Sequence, residues 1–395
     1  SGEYNHIRQW FPEAYMGRRE DFRKTLNHIT PENMILDLGG NPLSSMEGES
    51  PDKLLDFLGF KAEKSENILF GKTRKVDERI LDYLDIDTRS IGTILTPMDS
   101  QYEVLSDDLY IDEWGIKRKF TGMYWDIVEY PLKGASADDL DSYRWPDPGS
   151  LDYDLIDEYA RQARKYHDET DYLICGEHPV YGIFEMGCWM CGFDDFLLKM
   201  AIDEKFVRKF FEKILEYQKV VSKEYYSRVG SYIHYTSSGD DFATQTSLFM
   251  SPGMFRELIK PYLKERIEFT KKYTDAAFLH HSCGNVHDII DDLIDCGVDI
   301  LNPIQPTNDH MAPDNLKKTF GKRITFHGGL DTQAVLPFGT EETVREAVKE
   351  LVGAMNHDGG YIFAAAHNIQ PDVPPANVIH MFKAAREYGS LGRTT

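Results

Sequence analysis

Beyond about residue 150, short apolar runs alternate with longer stretches whose apolar residues recur at helical spacing. Strand-type runs occupy 172–175, 231–235, 276–280, 300–301, 324–326 and 361–363, and helical spacing holds over 204–226, 255–272, 287–295 and 341–354. Strands separated by helices lie parallel, because each helix returns the chain to the edge of the sheet where it started. Two more apolar runs, near Ile35 and Leu95, bring the strands to eight. The pattern therefore predicts an α/β fold, a (βα)8 barrel of the TIM type.

Before residue 150 the pattern is less regular. Residues 1–30 read as helix, with Phe22 and Leu26 four apart on one face. Met34-Ile-Leu-Asp-Leu-Gly-Gly40 reads as a short strand closed by two glycines, and 52–58 and 78–84 as helices. The aromatic-rich 110–126 predicts an irregular cap of strands and loops. Two prolines in Arg144-Trp-Pro-Asp-Pro148 stop regular structure. We place the boundary there: 1–150 is an N-terminal helical and irregular cap with the first barrel elements, and 151–395 is the main part of the barrel, in one structural domain.

A chain of 395 residues, 41% hydrophobic, can bury one large core. Its 66 acidic against 44 basic residues, a formal charge of -22, argue against nucleic acid or an anionic membrane as the main partner. No apolar run approaches the roughly 18 residues of a membrane span, and no charged start leads into an apolar signal core. A cytoplasmic location is expected. Five cysteines, an odd number, suit reduced thiols better than a disulfide framework.

Barrels gather their reactive groups where strands end, and the polar clusters here fall at such places. In an extended chain residues two apart share a side, so His281 and Cys283 face one space while His280 and Ser282 face another. An imidazole beside a thiolate is a zinc-ligand pair, and a catalytic zinc needs a third protein ligand and an open position. His367, which follows three alanines, is the expected third ligand; the bland alternative is an imidazole bonded to a loop carbonyl. Such a set suits activation of an incoming thiol or water. Of Asp240 and Asp241, one is expected to face the mouth as base or orienting group while the other braces it, and a helix cap plus a solvated carboxylate is the competing reading. His327 with Gly328-Gly329 would hold an anion through backbone amides or simply make a tight turn. Tyr181, Phe184 and Trp189 would wall a pocket or pack the core. Cys188-Trp-Met-Cys191 lacks a second CxxC and reads as structural.

His281-Ser-Cys-Gly284, Leu301-Asn-Pro-Ile-Gln-Pro306, Phe326-His-Gly-Gly-Leu-Asp-Thr-Gln333 and His367-Asn-Ile-Gln-Pro-Asp-Val-Pro-Pro375 resemble the uroporphyrinogen decarboxylase superfamily, as do Gly239-Asp-Asp241 and Ser251-Pro252. The resemblance covers most of the chain and implies a (βα) barrel with its active site in the mouth. The true decarboxylases carry an N-terminal Arg-Gln-Ala-Gly-Arg-Tyr segment whose arginines receive the porphyrinogen carboxylates; the equivalent region here offers Asp37-Leu-Gly-Gly40. The other branch, zinc methyltransferases that work with corrinoid proteins, has His-x-Cys followed far downstream by Cys. His281 and Cys283 match the first part, and His367 stands where the downstream Cys would be.

The resemblance thus implies a zinc-dependent methyltransferase moving a methyl group between a corrinoid protein and a thiol or related acceptor. His281, Cys283 and His367 would hold the metal and Asp240 and His327 would be catalytic, with Gln305, Asn368, Tyr181 and Asp241 contacting substrate. The methylcobamide would arrive on a separate, transiently bound protein, because no Asp-x-His-x-x-Gly signature occurs in this chain. Decarboxylation of uroporphyrinogen is the alternative, and a noncatalytic corrinoid- or metabolite-binding barrel the third reading. The acceptor is expected to be a small molecule, and homo-oligomerisation is left open.

Overall fold

The computed structural model describes residues 17–61, 75–92, 102–122, 124–305 and 309–390. They form two compact units, Ser1–Ser90 with Lys165–Cys175 and Asp299–Thr395, and Ile91–Arg164 with Gly176–Val298. Each is assembled from separated stretches of chain.

Eight parallel strands make the main sheet: β1 (Ile35–Leu36), β2 (Thr88–Ser90) and β7 to β12. In the first unit β1, β12 (Tyr361–Phe363), β11 (Thr325–Gly328) and β10 (Ile300–Ile304) pair in that order, and β2 pairs with the start of β7 (Leu173–Glu177). Every residue of β10, β11 and β12 is buried. Strands covered on both faces carry continuous apolar runs, which is why these were visible as such in the sequence. Helices follow them, including Pro313–Phe320, Glu341–Met355 and Pro375–Tyr388. Buried Asp87, just before β2, accepts bonds from Arg18 Nε at 2.8 Å and Leu36 N at 2.7 Å, fixing the start of β2 beside β1.

The second unit holds β8 (Tyr235–Gly239) paired with β9 (Ala277–His281), and helices α1 (Ile183–Cys191), α2 (Glu204–Val229) and α3 (Lys260–Thr270). The strand expected at 231–235 begins at Tyr235 and runs to Gly239. It is polar yet buried, because Thr236 bonds to Tyr226 of α2 and small hydroxyl side chains fit between sheet and helix. The aromatic-rich cap region is a regular four-stranded antiparallel sheet, β3 (Glu103–Ser106), β4 (Leu109–Ile111), β5 (Lys117–Phe120) and β6 (Trp125–Glu129). Of the expected N-terminal helix, Arg18–Leu26 forms; residues 1–16 and the strand expected near Leu95 lie outside the described residues.

Candidate metal centre

β8 and β9 pair residue for residue, Ser238 opposite His280 and Gly239 opposite His281. This register sends His280 toward the helices, where its ring stacks on Phe242 with centroids 5.6 Å apart. His281, one residue on, points the other way, as the period of two requires. Ser282 repeats the alternation and accepts the Phe242 amide at 3.0 Å. Cys283 returns to the side of His281, and its Sγ lies 3.3 Å from His281 Nε2. The loop closes at Gly284 with φ of 84°, where a Cβ would sit 2.3 Å from the Thr244 carbonyl oxygen, so only glycine is accommodated.

That separation tests the pair as metal ligands. Nitrogen at about 2.0 Å and sulfur at about 2.3 Å from a tetrahedral zinc are separated by about 3.5 Å. The observed 3.3 Å fits with little movement. Asp241 stands beside the pair: its Oδ1 accepts the Cys283 amide at 2.7 Å and lies 3.6 Å from His281 Nε2.

Asp240 does something else. Buried, it accepts the amides of Phe184 at 3.1 Å and Glu185 at 2.8 Å, so it caps the N-terminus of α1 from outside the helix. Gly182 makes this approach possible, since a Cβ there would come within 2.2 Å of the Asp240 carboxyl carbon. Burial pushes the Asp240 carboxyl up to about 7, against the lowering effect of the two amides. Glu185, the next acid in this cluster, is raised well above its ordinary value by burial and by Asp241 and Asp240. Of the two adjacent aspartates, whose assignment the sequence left open, Asp241 lies beside the His281–Cys283 pair and Asp240 braces α1.

His327, expected to be catalytic, is an interior residue of the first unit. Its Nε2 donates to Asp37 Oδ2 at 2.7 Å, and its Nδ1 receives Asn302 Nδ2 at 2.6 Å. Asp37 also accepts from Ser44 Oγ at 2.7 Å and from Thr88. Burial pushes the Asp37 carboxyl up, but the bonds from His327, Thr88 and Ser44 outweigh it, and the net shift is downward. With both ring nitrogens engaged and no exposure, His327 holds strand ends together rather than meeting solvent. Asn368 is likewise committed: its Oδ1 accepts the Ser45 amide at 2.8 Å and its Nδ2 donates to Glu47 at 2.7 Å. His367 and Gln305 are half-buried, at the positions following β12 and β10. Tyr181 is half-buried in the second unit, edge-on to Trp189 at 5.0 Å.

The sequence reading missed Asp37, Glu185 and Arg266. Asp37 interrupts the apolar run Met34-Ile-Leu-Asp-Leu38 just before two glycines, a signal that could have found it. Nothing local marks Glu185, or Arg266, which donates to His178 at 3.1 Å and to the Val180 carbonyl at 2.9 Å. Cys188 and Cys191 are buried in α1 with thiols that burial pushes up, Cys191 to about 12, as expected of structural cysteines.

A family model described as uroporphyrinogen decarboxylase (URO-D) matches residues 128–388. Uroporphyrinogen decarboxylases of Chlorobaculum tepidum and Chlorobium limicola are 28% and 30% identical to this chain over 141 and 142 residues, 35% of this chain and 38% of theirs. The chain thus aligns with little more than a third of the length of these curated relatives. A methyltransferase from Methanosarcina mazei shares the fold, with a TM-score of 0.65 at 16% identity, covering 94% of this chain and 98% of that one. The fold class is therefore that of an α/β barrel of the TIM type. Among the described residues, no helix is long and apolar enough to cross a membrane.

Proposed function

Because this chain belongs to the uroporphyrinogen decarboxylase family, we propose that it is one of the members that move methyl groups, a zinc-dependent methyltransferase acting between a corrinoid protein and a thiol or related acceptor. The observation that carries this reading is the 3.3 Å approach of His281 Nε2 and Cys283 Sγ at the end of β9, with Asp241 beside them. In this reading His281 and Cys283 would hold the ion, and His367 is proposed as its third ligand. The fold shared with a protein named as a methyltransferase supports the same reading.

When bound, zinc would lower the pKa of a thiol ligand so that it is present as thiolate at neutral pH. The protein's own groups do the rest. Asp241 accepts the Cys283 amide and would take up the proton that the acceptor thiol gives up. Asp240, by accepting the amides of Phe184 and Glu185, fixes the start of α1. The methylcobamide carried by the partner would supply the methyl group to the acceptor thiolate, and its cobalt would keep the electron pair of the bond that breaks.

The competing reading, decarboxylation of uroporphyrinogen, has the names of the curated relatives in its favour. Against it stand the missing arginine segment and the carboxylates of the second unit, which would repel a substrate with eight carboxylates. The test is to load protein with zinc, add methylcobalamin and a panel of thiols, and follow loss of the methylcobalamin spectrum. Turnover that disappears in Cys283→Ser supports methyl transfer. Carbon dioxide release from uroporphyrinogen, without demethylation, would replace it.

A further inference from the structure

The loop that carries Cys283 is fastened to the loop that follows β8, within the second unit. Past their last paired residues the two strands stay together, because the Asp240 amide donates to the His281 carbonyl at 3.0 Å. The chain after β8 then folds into a hairpin over 242–249. Ala243 is bridged antiparallel to Leu248, and the Phe249 amide donates to the Phe242 carbonyl at 2.9 Å. Thr244 closes the tip, its hydroxyl oxygen accepting the Ser247 amide at 3.1 Å.

Alternation divides the work at the end of β9. His281 and Cys283 form the metal pair, while His280 and Ser282, on the opposite side, both grip Phe242: the His280 ring stacks on it and Ser282 Oγ accepts its amide at 3.0 Å. Phe242 is a firm anchor, fully buried and edge-on to Phe255 with centroids 5.1 Å apart. Ser282 is itself fully buried. Beyond the pair, Asn285 fastens the far end of the loop twice. Its amide donates to the Thr244 carbonyl at 2.8 Å and its side-chain Nδ2 to the Thr246 carbonyl at 3.1 Å. Between these ties Asp241 accepts the Cys283 amide at 2.7 Å. Bonds at 282, 283 and 285 leave the intervening backbone little freedom, and with it the 3.3 Å separation of His281 Nε2 and Cys283 Sγ.

We infer that Ser282 and Asn285 are positioning residues for the metal: tied to hairpin 242–249, they set the separation of His281 Nε2 and Cys283 Sγ, so that the pair is preorganised for an ion. Ligands not held in this way would lose part of the binding free energy to being ordered. The inference rests on the reading of His281 and Cys283 as metal ligands and holds whichever reaction follows.

The test reads metal binding rather than turnover. Cobalt(II) is titrated into metal-free protein, with affinity measured by chelator competition and the thiolate-to-cobalt absorption band recorded alongside. Ser282→Ala, which takes the acceptor from the Phe242 amide, is expected to bind cobalt about tenfold more weakly than wild type and to shift or weaken that band. Asn285→Ala is expected to lose about threefold in affinity, and decides alone if the first variant does not fold. A lowered thermal midpoint with cobalt affinity and spectrum unchanged in the variants marks a merely structural role and overturns the inference, while the metal reading stands. Wild-type protein that takes up neither cobalt nor zinc overturns the metal reading and this inference with it.

Discussion

Two adjacent aspartates show how one residue's step along a strand end decides its chemistry. Asp241 bonds the backbone of Cys283 and approaches His281, and outer groups of this kind orient metal ligands. Asp241→Asn is therefore expected to weaken zinc binding by about 10- to 100-fold, measured by chelator competition. Which of the pair would face the metal side was not legible, because adjacent residues differ only in the turn that follows them. That His281 and Cys283 would share a side was legible, since it follows from the period of an extended chain alone. The His327–Asp37 pair gives a second prediction. Asp37 is held below its ordinary value of 3.8 in the fold, so the unfolded chain takes up the proton first as pH falls. Its contribution is complete above about pH 4 and is lost as pH drops through the lowered value. Asp37→Asn should cost about 3 kcal/mol in urea unfolding at neutral pH, and the gap from wild type should close in acid. A gap that stays constant down to pH 2 would contradict this.

At the scale of elements, α1 depends on an acceptor from outside itself, because its N-cap residue, Gly182, offers no side chain. Asp240→Ala leaves two buried amides without their acceptor and is expected to destabilise the protein by about 1 to 2 kcal/mol, read from the urea midpoint. Asp240→Asn, which keeps an acceptor oxygen, should recover part of that loss. Most strands were legible because buried parallel strands carry uninterrupted apolar residues, as Tyr361–Phe363 does. β8 was misplaced by four residues for the opposite reason: Thr236, Ser237 and Ser238 are buried but polar, and their signal is a bond to α2 that no local pattern encodes. The antiparallel sheet of β3 to β6 was hidden by its exposure. All four residues of β3 are exposed, so no alternation marks it.

On the scale of the whole molecule, the barrel class followed from the alternation of elements, and the family from motifs at strand ends. Each of the two units is assembled from separated stretches of chain, and which distant stretches pack together is not encoded in a local pattern. A metal held by residues far apart in the chain couples binding to folding. Zinc in excess should therefore raise the thermal midpoint of metal-free protein, by a free energy of about 2.7 kcal/mol at a hundred times the dissociation constant. Cys283→Ser should abolish that rise while leaving the metal-free midpoint near wild type. The most direct test of the account is zinc-edge X-ray absorption on protein purified without chelator. It should show one zinc per chain with two nitrogen ligands at about 2.0 Å and one sulfur at about 2.3 Å. Protein without stoichiometric zinc, or a zinc shell that contains no sulfur while Cys283 is intact, would contradict it.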